Sequence, residues 1–309
     1  MTRAFFLWLS RSQRLKHWSS TFPPLWKMAS RFVAGSTLDD AIRVIRRLNQ
    51  EGLKVTLDHL GENTTNEEEA RAAADAYIEA LQRIHQEGVD SSVSIKLTQM
   101  GLDLSYDFTL ENVDRIIKTA AELGNFVRID MESSEYTQRT LDLYEHFHRK
   151  YGPQHVGIVI QAYLRRSEQD IRHIIQLGGN VRLCKGAYLE PPEIAFPKKR
   201  EVDENFKHLL DLLLHPEALK TGTYTAVATH DEKMIAHTKK LERERQIPRN
   251  RFEFQMLYGI RNDLQRRLAR EGYTVRVYVP YGTEWYPYFM RRLAERPANV
   301  FFILKNLFR

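Results

Sequence analysis

The chain has 309 residues, of which 42% are hydrophobic and 28% are charged, and its formal net charge is +6. This composition is typical of a globular protein and excludes a wholly disordered chain. The length suits one large domain with additional segments at its ends. The single cysteine, Cys184, excludes an intrachain disulfide framework, and its apolar neighbours predict that it only packs.

The net charge is concentrated near the N-terminus. No acidic residue precedes Asp39, whereas the apolar run 5–9 is followed by several cations. That run is too short for a secretory signal or a membrane span. We therefore predict a basic helical arm over residues 1–50 that contacts a membrane surface, with a transit segment or a helix packed on the main domain as alternatives. The basic residues are Arg3, Arg11, Arg14, Lys16, Lys27 and Arg31.

Beyond the arm, apolar strand-like runs alternate with amphipathic helical segments. The alternation begins with Ile42, Val44, Ile45 and Leu48 at helical spacing. The strand-like runs are 53–60, 93–97, 126–131, 157–160, 181–183, 224–228, 252–254 and 274–279. Further helices are expected after Asn66 and at 109–123, 136–150, 167–177, 192–214, 231–245, 260–271 and 285–296. The fold class predicted is therefore α/β, a (β/α)8 barrel over residues 51–297 with a closing segment at 298–309.

Polar residues lie where the strand-like runs end. In a (β/α)8 barrel the active site is built at the C-terminal ends of the strands, so this placement predicts an enzyme. The residues concerned are Glu62, Lys96, Asp130 with Glu132, Gln161, Arg182 with Lys185, Thr229 with His230, Gln255 with Tyr258, and Tyr278.

Several common chemistries are not supported. No Gly-x-Gly-x-x-Gly and no Gly-x-x-x-x-Gly-Lys motif follows a strand, which argues against Rossmann-type and P-loop nucleotide sites. His146 and His148 diverge on a helix, and Asp130 with Glu132 lacks a third carboxylate. We expect no metal.

Two groups of cations have open interpretations. Lys96 sits in an apolar run and needs a counter-ion such as Asp130. It is either a Schiff-base nucleophile or a permanent cation that binds substrate. Arg291 and Arg292 lie three to four helical positions from Glu295, so they form either a carboxylate site or a solvated ion-pair surface.

Taken together, several blocks resemble the proline dehydrogenase family. They keep that family's order and barrel positions from about residue 55 to residue 300. The blocks are Gln161-Ala162-Tyr163-Leu164-Arg165, Val181-Arg182-Leu183-Cys184-Lys185-Gly186-Ala187-Tyr188, Ala228-Thr229-His230, Gln255-Met256-Leu257-Tyr258-Gly259, Arg276-Val277-Tyr278-Val279-Pro280-Tyr281-Gly282 and Arg291-Arg292-x-x-Glu295.

The resemblance implies a distorted barrel that oxidises L-proline to Δ1-pyrroline-5-carboxylate. Arg291, Arg292 and Lys96 would bind the proline carboxylate. Glu295 and Asp130 would hold these cations, and Asp130 with Arg182 would be the catalytic residues.

The resemblance also implies a closed substrate pocket. Tyr278 would lie against the ring, where relatives that prefer 4-hydroxyproline carry a smaller residue. Leu257 and Tyr188 would complete the apolar wall. Glu62 would act as a gate by pairing with Arg291.

The implied cofactor is FAD, which this family binds without a Rossmann motif. Arg182 would stand beside flavin N5, Gln161 would bond the pyrimidine edge, and hydride would pass from proline C5 to N5. No dedicated base is required by the residues present. The remaining cofactor contacts implied are Met131, Lys185, Gly186, Ala187, Thr229 and His230.

The implied partners are a membrane quinone as electron acceptor and a separate pyrroline-5-carboxylate dehydrogenase, since the chain resembles the monofunctional members. We expect a cytoplasmic protein with peripheral contact at the inner membrane and no nucleic-acid partner. Two alternatives remain: an aldolase using Lys96 or Lys185, and a nucleic-acid or membrane adaptor using the arm.

Overall fold

The structure is a computed structural model that describes Trp26 and residues 28–295, with the side chains of residues 294 and 295 left out. Most of the predicted basic arm and the predicted closing segment lie outside the described residues. Eight parallel strands are described: β1 Lys54–His59, β2 Ser91–Ile95, β3 Val127–Ile129, β4 Val156–Gln161, β5 Asn180–Cys184, β6 Tyr224–Ala228, β7 Phe252–Leu257 and β8 Val275–Tyr281.

Helices separate the strands, and several begin at side-chain caps. The side chains of Thr37, Asn66 and Ser105 accept hydrogen bonds from the first turns of the helices that follow them. The α-helices are α1 Leu38–Gln50, α2 Glu67–Gln86, α3 Tyr106–Glu122, α4 Thr137–Tyr151, α5 Ser167–Gln176, α6 Lys199–Leu213, α7 Pro216–Lys220, α8 Glu232–Arg245, α9 Asn262–Arg270 and α10 Trp285–Glu295.

The strands close into a barrel in sequence order, β1 to β8, and β8 pairs with β1 from Lys54↔Arg276 to His59↔Tyr281. The predicted (β/α)8 barrel is therefore confirmed. One helix boundary was wrong: the helix expected at 192–214 begins at Lys199. Pro192 and Pro197 explain this difference, because proline has no N–H for the helical hydrogen bonds. Residues 185–198 form a loop over the barrel mouth instead.

The two faces of the barrel strands differ in chemistry. Val55 and Leu57 on β1 are fully buried against the helix layer, as are the corresponding apolar residues of the other strands. Alternate positions point inward, because successive side chains leave a strand on opposite faces. Hydrogen bonds from Arg182 on β5 reach Ser94 on β2 and Gln255 on β7 across the interior. The barrel interior is therefore polar and hydrogen-bonded.

A second apolar cluster supports α10 at the C-terminal end of the barrel. Phe32 and Val33, from the segment before α1, pack with Trp285 and Phe289 of α10. The rings of Phe32 and Phe289 lie 6.2 Å apart. This packing fixes the helix that carries Arg291 and Arg292.

Within the described part of the chain, no helix is both long and apolar enough to cross a membrane.

Candidate active site

A cavity of about 780 Å³ opens at the C-terminal end of the barrel, a volume within the range of small-molecule sites. The loop after β5 and helix α10 form its upper walls. The cavity brings together every residue predicted to contact substrate or cofactor except Glu295, whose side chain lies outside the described residues. These are Glu62, Lys96, Asp130, Met131, Gln161, Arg182, Lys185, Gly186, Ala187, Tyr188, Thr229, His230, Leu257, Tyr278, Arg291 and Arg292. Tyr258, one of the polar strand-end residues, does not line the cavity, and its hydroxyl accepts from Arg47 Nη2 at 2.7 Å.

Lys96 lies on one wall of the cavity, one residue beyond β2, and its ammonium group is buried among carboxylates. Its Nζ donates to Asp58 Oδ1 at 2.7 Å and lies 3.7 Å from Asp130 Oδ2. Burial acts to lower the pKa of Lys96, but the two carboxylates outweigh it, and the pKa is raised above its ordinary value. The raised pKa favours the charged amine and disfavours the Schiff-base interpretation of this residue, which requires a neutral amine.

Asp58 is the main residue that the sequence analysis missed. The nearest counter-ion of Lys96 is this residue on β1, and Asp130, the partner expected, is the more distant one. Asp58 is fully buried, and its Oδ2 has no hydrogen-bond partner in the part of the chain that the structure describes. The signal available was a carboxylate inside the apolar run 53–60, because such a group avoids burial unless it is paired.

Tyr278 connects the Lys96 cluster to Asp130. Its hydroxyl donates to Asp130 Oδ2 at 2.9 Å and accepts from Lys96 Nζ at 3.3 Å. Burial and the carboxylates of Asp130 and Asp58 raise the pKa of Tyr278 well above its ordinary value. The phenol thus stays protonated and presents its ring to the cavity.

Arg182 occupies the centre of the cavity floor, where three strands hold its guanidinium group. Nη1 donates to Asp130 Oδ1 at 2.7 Å, Nη2 to Ser94 Oγ at 3.0 Å, and Nε to Gln255 Oε1. The guanidinium carbon also lies 5.4 Å from the centroid of the Tyr278 ring. A cation held from three sides is well suited to stabilise negative charge that develops above it.

Helix α10 places its two arginines at the roof of the cavity. Arg291 makes a two-pronged bond with Glu62, at 2.7 Å from Nη2 to Oε1 and 3.1 Å from Nη1 to Oε2. Burial acts to lower the pKa of Arg291, but Glu62 outweighs it and raises the pKa. Arg292 is buried beside the Tyr288 ring. Glu62 and Arg291 are thus paired in this structure, whereas the resemblance predicts their pairing when substrate is bound.

One further carboxyl group, Glu132, and one phenol, Tyr188, line the cavity. Glu132 is buried and accepts from Thr98 N at 3.0 Å and from Thr98 Oγ1 at 2.6 Å. Burial raises the pKa of Glu132 to about 7, and the nearby Glu62 adds to the effect. Burial likewise raises the pKa of Tyr188 well above its ordinary value.

The opposite wall carries backbone and amide groups. Gln161 Nε2 donates to Met131 O at 3.3 Å, whereas the buried Gln161 Oε1 has no partner among the described residues. Gly186 has φ +106°, and a Cβ there would lie 2.2 Å from the Tyr163 ring. Only glycine lets the backbone pass this close to the Tyr163 ring in this conformation. Cys184, expected only to pack, also lines this wall.

The rear of the cavity is polar. Lys185 Nζ contacts Asp203 Oδ1 at 2.5 Å and Asp231 Oδ2 at 2.6 Å, two carboxylates that the sequence analysis did not single out. His230 Nε2 accepts from the backbone N–H of Leu257 at 3.0 Å, so this ring nitrogen carries no proton. Thr229 is buried beside it.

The fold and this cavity define a (β/α)8-barrel enzyme with a cationic site at the C-terminal ends of its strands. The family model described as proline dehydrogenase matches residues 41–305. "Proline dehydrogenase 1" of Bacillus subtilis (strain 168) is 45% identical over 309 residues, with 100% of both chains covered. "Proline dehydrogenase" of Deinococcus radiodurans is 42% identical over 288 residues, which cover 92% of this chain and 91% of that protein.

Solved structures agree with this assignment. The proline utilization A protein of Bdellovibrio bacteriovorus, solved after inactivation by N-propargylglycine, superposes with a TM-score of 0.80 at 27% identity. The match covers 87% of this chain and 32% of that one, so the chain spans about a third of that longer protein. The chain belongs to the proline dehydrogenase family. It is an oxidoreductase, as the sequence analysis predicted.

Proposed function

We propose that the cavity binds FAD together with L-proline, and that the protein oxidises proline to Δ1-pyrroline-5-carboxylate, the first step of proline catabolism. The observation that carries this proposal is the convergence of four cations, Lys96, Arg182, Arg291 and Arg292, on one cavity in a chain of this family. Their N–H groups can donate to a substrate carboxylate and to an anionic cofactor, while Asp58, Asp130 and Glu62 balance part of their charge.

FAD fits the residues present on the amide side of the cavity. Gln161 offers a buried oxygen for which the described residues supply no donor, and a flavin pyrimidine ring carries an N–H of the required kind. Gly186 and Ala187 provide a backbone edge along which a large planar group can lie. Met131, Lys185, Thr229 and His230 are the remaining groups proposed to hold the cofactor. FAD would supply the acceptor for the hydride that leaves proline C5.

The chain's own residues would orient proline. Arg291 and Arg292 would hold its carboxylate from the roof, and Lys96 would add a third cation from the wall. Tyr278, Leu257 and Tyr188 would enclose the ring. Because the Tyr278 hydroxyl is tied to Asp130, a hydroxyl on the substrate ring would find the space already filled.

Glu62 would act as the gate. It forms a two-pronged ion pair with Arg291 across the cavity entrance, joining the loop after β1 to α10. With proline in place, this pair would exclude water and restrain the substrate until the product leaves. Asp130 and Arg182 would be the catalytic residues, with Asp130 fixing both Arg182 and Tyr278.

The electron acceptor in this proposal is a membrane quinone, reached by peripheral contact of the protein with a lipid surface from the cytoplasmic side. The product is an electrophilic imine, so a separate pyrroline-5-carboxylate dehydrogenase is a fitting partner. The Schiff-base alternative is disfavoured for Lys96 by its raised pKa, and an adaptor role leaves the buried site residues unexplained.

A product assay tests this proposal. The protein, reconstituted with FAD, is incubated with L-proline and a water-soluble quinone, and the product is identified by mass spectrometry. The expected product is two hydrogens lighter than proline. Pyrrolidine and cyclopentanecarboxylate, which lack the carboxylate and the amine respectively, serve as controls and should not react. Turnover of pyrrolidine at the rate of proline would contradict the proposed carboxylate clamp.

A further inference from the structure

A buried carboxylate, Glu253 on β7, lies deeper in the barrel than the cavity and has no direct access to it. It is 3% exposed and points into the barrel interior, two residues before the cavity-lining Gln255. A carboxylate at such a position is costly unless its charge and hydrogen bonds are compensated. Glu253 has no part in the proposed binding of FAD or proline or in the proposed gate.

Glu253 is compensated by a chain of hydrogen bonds that ends at the cavity floor. Its Oε1 accepts from Arg276 Nε at 2.8 Å and from Gln255 Nε2 at 2.5 Å. Gln255 Oε1 in turn accepts from Arg182 Nε at 2.5 Å. The Tyr224 hydroxyl donates to Glu253 Oε2 at 3.3 Å. The chain therefore joins β8, β7 and β5 inside the barrel.

Glu253 and Arg276, the ion pair of this hydrogen-bond chain, stay charged near neutral pH. Burial acts to raise the pKa of Glu253, but the charge and hydrogen bond of Arg276 outweigh it and hold the pKa below its ordinary value. Arg276 is anchored on its other side by a bond from Nη1 to Val55 O at 2.9 Å. Glu253 is thus a fixed anion that can only accept hydrogen bonds.

A fixed acceptor decides which way the Gln255 amide points. The amide has a donating end and an accepting end, and only one orientation matches its neighbours. With the NH2 group facing Glu253, the oxygen faces the Nε–H of Arg182. The reversed orientation would set an amide NH2 against the guanidinium N–H and an amide oxygen against a carboxylate. Both contacts would be repulsive.

We propose that Glu253, with Arg276 as its counter-ion, is a positioning residue that orients the Gln255 amide and thereby fixes the Arg182 guanidinium at the cavity floor. This inference rests on the proposed function, because Arg182 is the cation assigned there to the reacting centre. Small displacements of such a group are costly to the reaction even when binding is preserved.

The test removes both members of the ion pair at once, so the net charge of the barrel interior does not change. A double variant, Glu253→Met with Arg276→Met, replaces the ion pair by an apolar pair of similar size, an exchange that buried pairs often tolerate. Arg128, which also lies in the field of Glu253, keeps its hydrogen bonds to Ile158 and Asn180. Gln255 then loses the group that orients it. We expect FAD to remain bound and kcat for proline to fall about tenfold or more, with KM changed by less than about threefold. The reduction potential of the bound flavin should fall as well, since the cation is less well placed.

A thermodynamic cycle separates positioning from a general structural effect. Gln255→Met keeps the Glu253–Arg276 pair but breaks its link to Arg182, and should show a similar loss of kcat. Because both changes act through the same amide, the triple variant should be no slower than Gln255→Met alone. If kcat of the triple variant fell by the product of the two separate losses, the proposal would be overturned. An unchanged kcat and an unchanged flavin reduction potential in the double variant would also overturn it.

Two further variants complete the design. Arg166→Met with Asp170→Met removes a partly buried ion pair of α5 that does not line the cavity, and should leave kcat and the potential unchanged. If the double variant does not fold, Glu253→Asp retains the charge but withdraws the acceptor from Gln255. It should lower kcat without raising KM, and parent-like kcat would overturn the proposal. Failure of the parent protein to be reduced by proline would instead refute the proposed function.

Discussion

The outward and inward faces of the same eight strands have opposite chemistry. Outward residues such as Val93, Ile95 and Phe254 are apolar and fully buried beneath the helices. Inward residues such as Asp130, Arg182 and Glu253 are charged or polar and bonded to one another across the barrel. Barrel interiors are more often filled by branched apolar side chains. Here most of the apolar core lies between the helices and the strands, and the residues inside the barrel form the cavity and the hydrogen-bond network beneath it.

The difference separates stability from activity along each strand. Outward substitutions should lower the free energy of unfolding with little change in the activity of the folded molecules. Inward substitutions at the cavity should lower the activity with a smaller change in the free energy of unfolding. Each variant below challenges this separation on one face.

The largest effect is expected on the outward face. Phe254 is fully buried, and its ring packs edge-on against Phe252 and Tyr273. Phe254→Ala should lower the free energy of unfolding by about 3–5 kcal/mol because it leaves a cavity. Urea denaturation measures the loss, and activity is normalised to bound flavin. A folded variant with its activity also reduced a hundredfold would break the proposed separation.

Arg182→Met tests the inward face at the cavity floor. The loss of a cation held by Asp130, Ser94 and Gln255 should reduce kcat for proline by about 10² to 10³-fold. Stopped-flow reduction of the bound flavin measures the chemical step directly, and Arg182→Lys is the matched control for charge. Parent-like reduction by the methionine variant would remove Arg182 from the catalytic residues.

Glu132 makes the comparison more specific. Because its carboxyl group is buried, its protonation should make the free energy of unfolding depend on pH. Its pKa is raised to about 7 by burial, against 4.5 for an exposed glutamate. The folded protein therefore keeps a proton that the unfolded chain loses. This contribution is fully present below pH 4.5 and is lost as the pH rises to about 7. This difference in pKa between the folded and unfolded states corresponds to about 3 kcal/mol in the free energy of unfolding.

The variant Glu132→Gln cannot lose this proton. Between pH 5 and pH 8, its free energy of unfolding should therefore fall by less than that of the parent, by up to about 3 kcal/mol. Denaturation curves at the two pH values provide the measurement. The same pH dependence in both proteins would show that Glu132 is ionised throughout.

The smallest effect is expected at Asp58. Asp58→Asn removes the nearer counter-ion of Lys96 and leaves Asp130 at 3.7 Å, so the pKa of Lys96 should fall. Substrate carboxylate binding should weaken, with KM for proline rising about tenfold and kcat changing less. Steady-state kinetics at several pH values distinguish this result from a general loss of folding. A parent-like KM would show that Asp130 alone is sufficient for Lys96.

The sequence predicted the barrel well because its outward faces leave a strong pattern. Runs such as 224–228 coincide with a strand, and the helix expected after Asn66 begins there. Strand ends placed Lys96, Asp130 and Arg182 at one face, since parallel strands carry their C-terminal ends to the same edge.

What the sequence could not provide is the pairing across the interior. The partners Asp58 with Lys96 and Glu253 with Arg276 come from consecutive strands, but they lie 38 and 23 residues apart in the sequence with a helix between them, and no local spacing reveals them. Residues 192–198 were predicted as the start of a helix, but Pro192 and Pro197 lack the N–H that a helix needs, and the helix begins at Lys199. The position of Glu295 relative to Arg291 lies outside the described residues and remains a prediction.

The most direct test of the central claim, that the polar barrel interior is a flavin and proline site, is an anaerobic visible absorption spectrum of the purified protein. Spectra are recorded after reconstitution with FAD, before and after addition of L-proline. Flavin absorption bands that bleach with proline are the result the account predicts. Bands that persist would contradict the proposed substrate, and failure to bind FAD at all would contradict the proposed cofactor.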